Sequence, residues 1–128
     1  MSDPITVVMV DDHLIIRRGL RAILEEPGTP PVEIVGEAAT ADAALELVEQ
    51  FAPRVLIADL KLGDSFEPGL ALIQQVRRTS PHTEVLVVTG FDDGDSLLRA
   101  IRAGAGGCIS KADQLNGAEI RAGIVEVA

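Results

Sequence analysis

Short runs of β-branched and aliphatic residues alternate with amphipathic stretches along this chain, and this alternation limits its fold more than any other feature. The runs are Ile5–Val10, Val32–Gly36, Val55–Ala58, Glu84–Thr89 and Gly107–Ser110. Most of them are apolar throughout, which is typical of strands buried on both faces of a parallel sheet. We therefore predict an α/β fold, a doubly wound five-stranded parallel sheet with helices on both faces.

The stretches between the runs have the period of helices with one apolar face. Their apolar sets are Ile16, Leu20, Ile23 and Leu24; Ala41, Ala44, Leu45 and Val48; Gly69, Leu72, Ile73 and Val76; and Leu97, Ala100 and Ile101. Thr40 is expected to cap the second helix, and Asp92 or Asp93 the fourth. The last predicted stripe is Leu115, Ala118, Ala122 and Val125. Gly117 and Gly123 predict that this helix is weak, since an interior Gly costs about 1 kcal/mol relative to Ala.

Composition narrows the classes of function. The 128 residues fit one domain, and we expect residues 1–128 to form it. A net charge of −9 argues against a nucleic acid interface on this domain. The single cysteine excludes an internal disulfide and fits a reducing cytosol. We find neither a signal peptide nor an apolar stretch long enough to span a membrane.

Polar side chains stand at the carboxyl ends of the predicted strands, where ligands bind in open α/β sheets. Asp11 and Asp12 follow the first run and Asp59 follows the third. Thr89 closes the fourth run and Lys111 follows the fifth. Three carboxylates at one edge repel each other, and a hard divalent cation such as Mg²⁺ relieves that repulsion. A carboxylate beside such a cation can attack a phosphoryl group, whose oxygens then need positive partners and hydrogen-bond donors.

Each of these residues also has an explanation that involves no chemistry. Asp11 and Asp12 could stabilise the N-terminus of the first helix, and Asp59 could be a solvated turn residue. His13 is expected to start that helix rather than bind a metal, because no second His or Cys stands near it in sequence. A solvated face of the first helix is predicted from Arg17, Arg18 and Arg21. The occurrence of all the strand-end residues together favours the functional interpretation.

Four segments carry a resemblance to a known family, and the resemblance extends over the whole chain in order. VMVDDHLIIRRGLRAIL, VLIADLKL, VLVVTG and GAGGCISK resemble segments of response-regulator receiver domains, and the DDH…RRGL and RAGAGG patterns are most similar to the NarL/FixJ subfamily. The resemblance implies a flavodoxin-like (βα)5 fold and a cytoplasmic two-component signalling switch rather than a typical enzyme. Members usually carry a LuxR-type helix-turn-helix domain. We expect that C-terminal DNA-binding domain to be removed or lacking here, so that DNA would be contacted through it alone.

The resemblance also assigns roles to residues. Asp59 would accept a phosphoryl group from a sensor histidine kinase, and Thr89 and Lys111 would hold that group. The implied ligands of Mg²⁺ are Asp11 (mainly through water), Asp12, Asp59 and the backbone carbonyl of Lys61. Thr89 and the residue at position 108 would transmit the change to a homodimer interface or an output domain. The implied interfaces are the side formed by the fourth helix, fifth strand and fifth helix, and the face shared by the first and fifth helices.

Three positions depart from the family pattern. Cys108 stands where the family usually has an aromatic ring or His that turns inward during switching, so we expect altered coupling to the output face. Gly63 stands where Pro is usual, and we expect a more mobile loop over residues 63–69. Phe91 is expected to shield the acyl phosphate from water.

Two other classes of protein remain open on the sequence. A pseudo-receiver would act as a protein-interaction module without phosphorylation, but such a module would have no need for mutually repelling carboxylates. A phosphatase of the haloacid-dehalogenase type would need a second Asp two residues after its nucleophile, where this chain has Lys61.

Overall fold

The structure is a computed structural model that describes residues 3–28, 30–63, 65–89, 94–110 and 117–128. In these residues five strands alternate with five helices, in the order β1 (Ile5–Val10), α1 (Leu14–Glu25), β2 (Val32–Ala38), α2 (Ala41–Phe51), β3 (Val55–Ala58), α3 (Glu67–Thr79), β4 (Glu84–Thr89), α4 (Gly94–Ala103), β5 (Gly107–Ser110) and α5 (Gly117–Val127). The strands are all parallel, in the spatial order β2-β1-β3-β4-β5. The predicted doubly wound α/β fold is confirmed.

Successive residues of the central strands point into two different cores. The α2–α4 core, between the sheet and helices α2, α3 and α4, receives Val8, Val10, Leu56, Ala58, Val85 and Val87. The α1–α5 core, on the opposite face, receives Val7, Met9, Val55, Ile57, Leu86 and Val88. Burial on both faces explains why these strands are apolar throughout rather than alternating with polar residues.

Strand β2 extends two residues beyond the predicted end at Gly36. Glu37 and Ala38 continue the parallel ladder beside Met9 and Val10 of β1. The polar Glu37 interrupts the apolar pattern, but its carboxylate binds arginine side chains of α1, so the strand continues through it.

The predicted start of α2 is confirmed. The Thr40 hydroxyl accepts a hydrogen bond from the Ala43 N–H at 3.2 Å, which satisfies one of the free donors at the helix N-terminus. In α4, Ala100 is buried as predicted, whereas Ile101 is 48% exposed. Asp92 and Asp93, the expected caps of α4, lie outside the described residues.

The predicted apolar face of α5 is wrong. Ala118, Ala122 and Val125 are exposed, and the buried side chains are Ile120 and Ile124. Alanine fits either face of a helix, so the two isoleucines determine which face meets the sheet. A Cβ atom on Gly123 would lie 2.9 Å from Cδ1 of Ile109, so this glycine allows α5 to approach β5 closely. Leu115 lies outside the described residues. In the described part of the chain, no helix has the length and apolar character needed to cross a lipid bilayer.

Candidate functional site

Two buried carboxylates follow neighbouring strands of the sheet. Asp11 comes directly after β1 and Asp59 directly after β3. Their backbone N–H groups continue the strand ladders, with Asp11 donating to the Ala38 carbonyl at 3.1 Å and Asp59 to the Val10 carbonyl at 3.0 Å. Asp11 is 2% exposed and Asp59 is 6% exposed. The sheet backbone therefore fixes both residues side by side at its carboxyl edge.

Two further residues complete a compact cluster with this pair. Carboxylate oxygens of Asp11, Asp12 and Asp59 and a ring nitrogen of His13 all lie within 4.8 Å of one another. Asp12 is partly exposed, and its Oδ2 accepts a hydrogen bond from the Gly63 N–H at 2.9 Å. Carboxylates with an imidazole form a ligand set that suits divalent cations, so this cluster could hold a metal ion.

His13 participates in this cluster more closely than the sequence predicted. Its Nδ1 lies 2.9 Å from Oδ1 of Asp11 and 3.1 Å from Oδ1 of Asp12. Its backbone N–H also donates to Oδ1 of Asp11 at 2.9 Å. The hydrogen bond to Asp11 and the nearby charge of Asp12 raise the pKa of the His13 imidazole. His13 does precede α1 as expected, but its side chain makes no capping hydrogen bond there.

The segment after Asp59 is held by backbone contacts on both sides. Leu62 donates to the Ser65 carbonyl at 3.2 Å, which closes a short bridge. Gly63 has a φ of +73°, a conformation that proline cannot adopt. A side chain on Gly69 of α3 would collide with the backbone carbonyl oxygen of Leu60. Gly63 thus allows a positive φ and donates a hydrogen bond. Neither role depends on the mobility that was predicted for the loop over residues 63–69.

The remaining predicted site residues are placed only in part. Thr89 ends β4 at the same edge of the sheet as Asp59 and is fully buried. Lys61 is half-buried in the segment that follows Asp59. Lys111 and Phe91, predicted to hold the phosphoryl group and to shield it from water, lie outside the described residues.

Cys108 lies on β5 beside Val87 and packs against the α2–α4 core. Burial raises the pKa of its thiol. The side chain is therefore a small, mainly protonated group at the position where the resemblance predicts a switching ring.

A partly buried charge network joins α1 and β2 to the site, and it was not predicted from the sequence. Glu37 accepts hydrogen bonds from Arg17 Nε at 3.1 Å and from Arg21 Nε at 2.8 Å. Arg17 also donates to the Asp11 carbonyl at 2.7 Å. The predicted solvated arginine face is therefore wrong for Arg17, whose side chain is 14% exposed, whereas that of Arg21 is 38% exposed. The sequence did contain a pattern that indicates this network, namely two arginines four residues apart on one helix face and an acidic residue at a strand end.

Comparisons with known proteins agree on one family. The family model described as the response regulator receiver domain matches residues 7–122. An uncharacterized transcriptional regulatory protein, YhcZ, of Bacillus subtilis (strain 168) is 33% identical over 99 residues, which cover 77% of this chain and 44% of that protein. The oxygen regulatory protein NreC of Staphylococcus aureus is 34% identical over 105 residues, covering 82% of this chain and 47% of NreC. The chain thus spans less than half the length of these relatives.

Solved structures give the same result. The signal receiver domain of the putative response regulator NarL from Mycobacterium tuberculosis superimposes with a TM-score of 0.86 at 28% identity, covering 98% of this chain and 96% of that one. The response regulator domain of Thermotoga maritima CheB, at 22% identity and a TM-score of 0.84, shares the fold.

Proposed function

This chain belongs to the response regulator receiver domain family, and we propose that it is a switch controlled by phosphorylation of Asp59. The observation that carries the proposal is the convergence of Asp11, Asp12 and Asp59 within 4.8 Å at the carboxyl edge of the sheet. Bringing these acids together without a function would cost free energy, because nearby like charges repel.

The carboxylates fit Mg²⁺, which prefers a few carboxylate oxygens and keeps several waters. Asp12 and Asp59 would hold the ion directly, Asp11 mainly through water, and the main-chain carbonyl of Lys61 would complete the protein ligands. When bound, the ion would neutralise charge on the phosphoryl oxygens. The Gly63 N–H and the strand ladders support this by fixing the carboxylates before any ligand arrives.

In the proposed reaction a carboxylate oxygen of Asp59 attacks the phosphorus of a phosphohistidine on a sensor histidine kinase. The new O–P bond forms an acyl phosphate while the N–P bond breaks, and the departing imidazole takes up a proton from solvent. The Thr89 hydroxyl would donate a hydrogen bond to a phosphoryl oxygen, and the Lys111 ammonium would balance its negative charge.

The output of the switch is proposed to be control of transcription through another domain. Support comes from the relatives, which are named as regulatory proteins and are more than twice as long as the matched region. A movement of Thr89 would be transmitted past Cys108 to the α4–β5–α5 side, or to the α1 and α5 face, and would change homodimer formation. Because a thiol is smaller than a ring, we expect weaker coupling than in relatives with an aromatic residue at that position.

Intact-protein mass spectrometry after incubation with acetyl phosphate and Mg²⁺ tests the acceptor. We expect the addition of one phosphoryl group, dependent on Mg²⁺ and absent from Asp59→Asn. A matched control is Asp42→Asn, which removes an acidic side chain at the start of α2 and should leave the phosphorylation intact. If the wild-type chain neither gains the group nor binds beryllofluoride, the proposal is wrong and the pseudo-receiver interpretation replaces it.

A further inference from the structure

We propose that Arg17 of α1 is a positioning residue for the acidic pocket. Its guanidinium fixes the peptide group that joins Asp11 to Asp12, and this raises the affinity of the pocket for Mg²⁺. The inference rests on the proposed function, because it concerns how the same pocket is held. It adds a residue that lies outside the set of metal ligands.

The main chain of Asp11 is held on both sides. Its N–H donates to the Ala38 carbonyl at 3.1 Å, and its carbonyl accepts a hydrogen bond from Arg17 Nη1 at 2.7 Å. That carbonyl belongs to the peptide group that leads into Asp12, and a peptide group is planar. Fixing the orientation of this plane limits the directions in which the carboxylates of Asp11 and Asp12 leave the backbone.

Glu37 holds the guanidinium in this position. Arg17 Nε donates to Glu37 Oε1 at 3.1 Å, and Glu37 directly precedes Ala38, the residue that accepts the Asp11 N–H. The contacts therefore form a closed ring that joins the end of β1, the start of α1 and the end of β2. The planar guanidinium suits this place because it can donate to two acceptors at once in a fixed geometry.

The charge of Arg17 predicts the opposite effect on the metal ion. A guanidinium near the pocket repels a divalent cation, and the carboxylate of Glu37 offsets part of this repulsion. If Arg17 acted through charge alone, its removal would strengthen Mg²⁺ binding. If it acts through position, its removal weakens binding, because the free energy of ordering the carboxylates then opposes association. The sign of the change distinguishes the two effects.

An NMR titration with Mg²⁺, followed at the backbone amide of Asp12, measures the affinity directly. We compare the wild-type chain with Arg17→Met, which keeps an unbranched stem without donors, and with Arg17→Lys. We expect about tenfold weaker binding in Arg17→Met, at the lower end of the effect of groups that orient metal ligands. Arg17→Lys should lie between the two, since an ammonium keeps the charge but lacks the planar fork.

Arg77→Met is the matched control. Arg77 donates to the Thr83 carbonyl at 3.0 Å and lies 3.4 Å from a carboxylate oxygen of Glu84, so it makes the same kinds of contact at the opposite edge of the sheet. We expect this variant to bind Mg²⁺ as the wild type does. The same spectra report whether each variant is folded.

The rate of phosphorylation by acetyl phosphate gives a second measurement. Asp59 is held separately, through the hydrogen bond from its N–H to the Val10 carbonyl. In Arg17→Met we therefore expect the half-saturating Mg²⁺ concentration to rise about tenfold, with a change of less than about twofold in the rate at saturating Mg²⁺.

The outcomes separate this inference from the proposed function. Unchanged or tighter Mg²⁺ binding in Arg17→Met, or an equal loss in Arg77→Met, would overturn the positioning role and leave the metal site intact. If Arg17→Met does not fold, wild-type affinity in Arg17→Lys would overturn it. Mg²⁺ binding that depends on Arg17 in a chain that cannot be phosphorylated would support the positioning role and refute the switch. If the wild-type chain binds no Mg²⁺, both are wrong.

Discussion

Gly63 donates its backbone N–H to the carboxylate of Asp12 over 2.9 Å, and it does so at a φ of +73°. Proline has neither the N–H nor access to positive φ, so a proline at this position could not make the contact. The glycine therefore orients Asp12 through its backbone N–H.

Substitutions at Gly63 should separate conformation from hydrogen bonding. No atom lies within 4 Å of a Cβ built at this position, so Gly63→Ala adds backbone strain without a collision. We expect it to lower the free energy of unfolding by about 1 kcal/mol. Gly63→Pro should cost more and should also weaken Mg²⁺ binding, because Asp12 loses its donor. Urea unfolding and metal titration of the two variants provide the measurements, and equal Mg²⁺ affinities in both would refute the positioning role.

Two helical glycines should respond to alanine in opposite directions. Gly19 of α1 has open space around its Cβ position, so Gly19→Ala should stabilise the chain by about 0.5–1 kcal/mol. Gly69→Ala in α3 should destabilise it by roughly 1–3 kcal/mol, because the methyl group meets the Leu60 carbonyl. Thermal unfolding of both variants checks the contrast. A stabilised Gly69→Ala would mean that α3 can move away from the segment after Asp59.

Glu37 should make the stability of the chain depend on pH in acid. The hydrogen bond from Arg21 holds the pKa of Glu37 below its ordinary value of 4.5 despite partial burial, and Arg17 adds to the effect. A depressed pKa stabilises the fold above the unfolded-state pKa, and this stabilisation is lost as the pH falls through the folded-state value. Glu37→Gln should therefore cost about 1 kcal/mol at pH 7, since the exposure of Arg21 limits the effect.

The comparison for that variant is Glu33→Gln, an exposed position on the same strand. Urea midpoints measured between pH 3 and pH 7 should show the Glu37→Gln deficit shrinking below pH 4.5, with Glu33→Gln close to the wild type throughout. A deficit that stays constant with pH would mean that charge on Glu37 is not its cause.

Cys108 should be slow to alkylate in the folded chain. Burial raises the pKa of its thiol, so less thiolate is present at a given pH than in an unfolded chain. Because the chain has one cysteine, iodoacetamide labelling followed by mass reports this residue alone. We expect a lower rate at pH 8 than in urea, and a rise in the folded-chain rate with increasing pH. Equal rates at pH 8 would show that the thiol is not held in the α2–α4 core.

Long-range packing explains why some of these features could be predicted from the sequence and others could not. Four of the five strands have the predicted bounds, because a short run of apolar, mostly β-branched residues is buried favourably inside a sheet and in few other places. The predicted end of β2 was two residues too early, because the charge of Glu37 is neutralised by arginines that lie far from it in sequence. The face of α5 was misassigned because its alanines fit either side. The contacts of His13 depend on the turn after β1, which composition does not encode.

The sheet separates the α2–α4 core from the α1–α5 core, so that the packing of one core can change with little effect on the packing of the other. Val76 and Ile124 lie on opposite sides of it, and substitutions at residues that share no neighbours add in free energy to within about 0.5 kcal/mol. One layer can therefore accumulate changes that suit a new partner while the other keeps its packing. The sequence of such a chain can change at its surface while the strand ends that carry the acidic residues keep their positions.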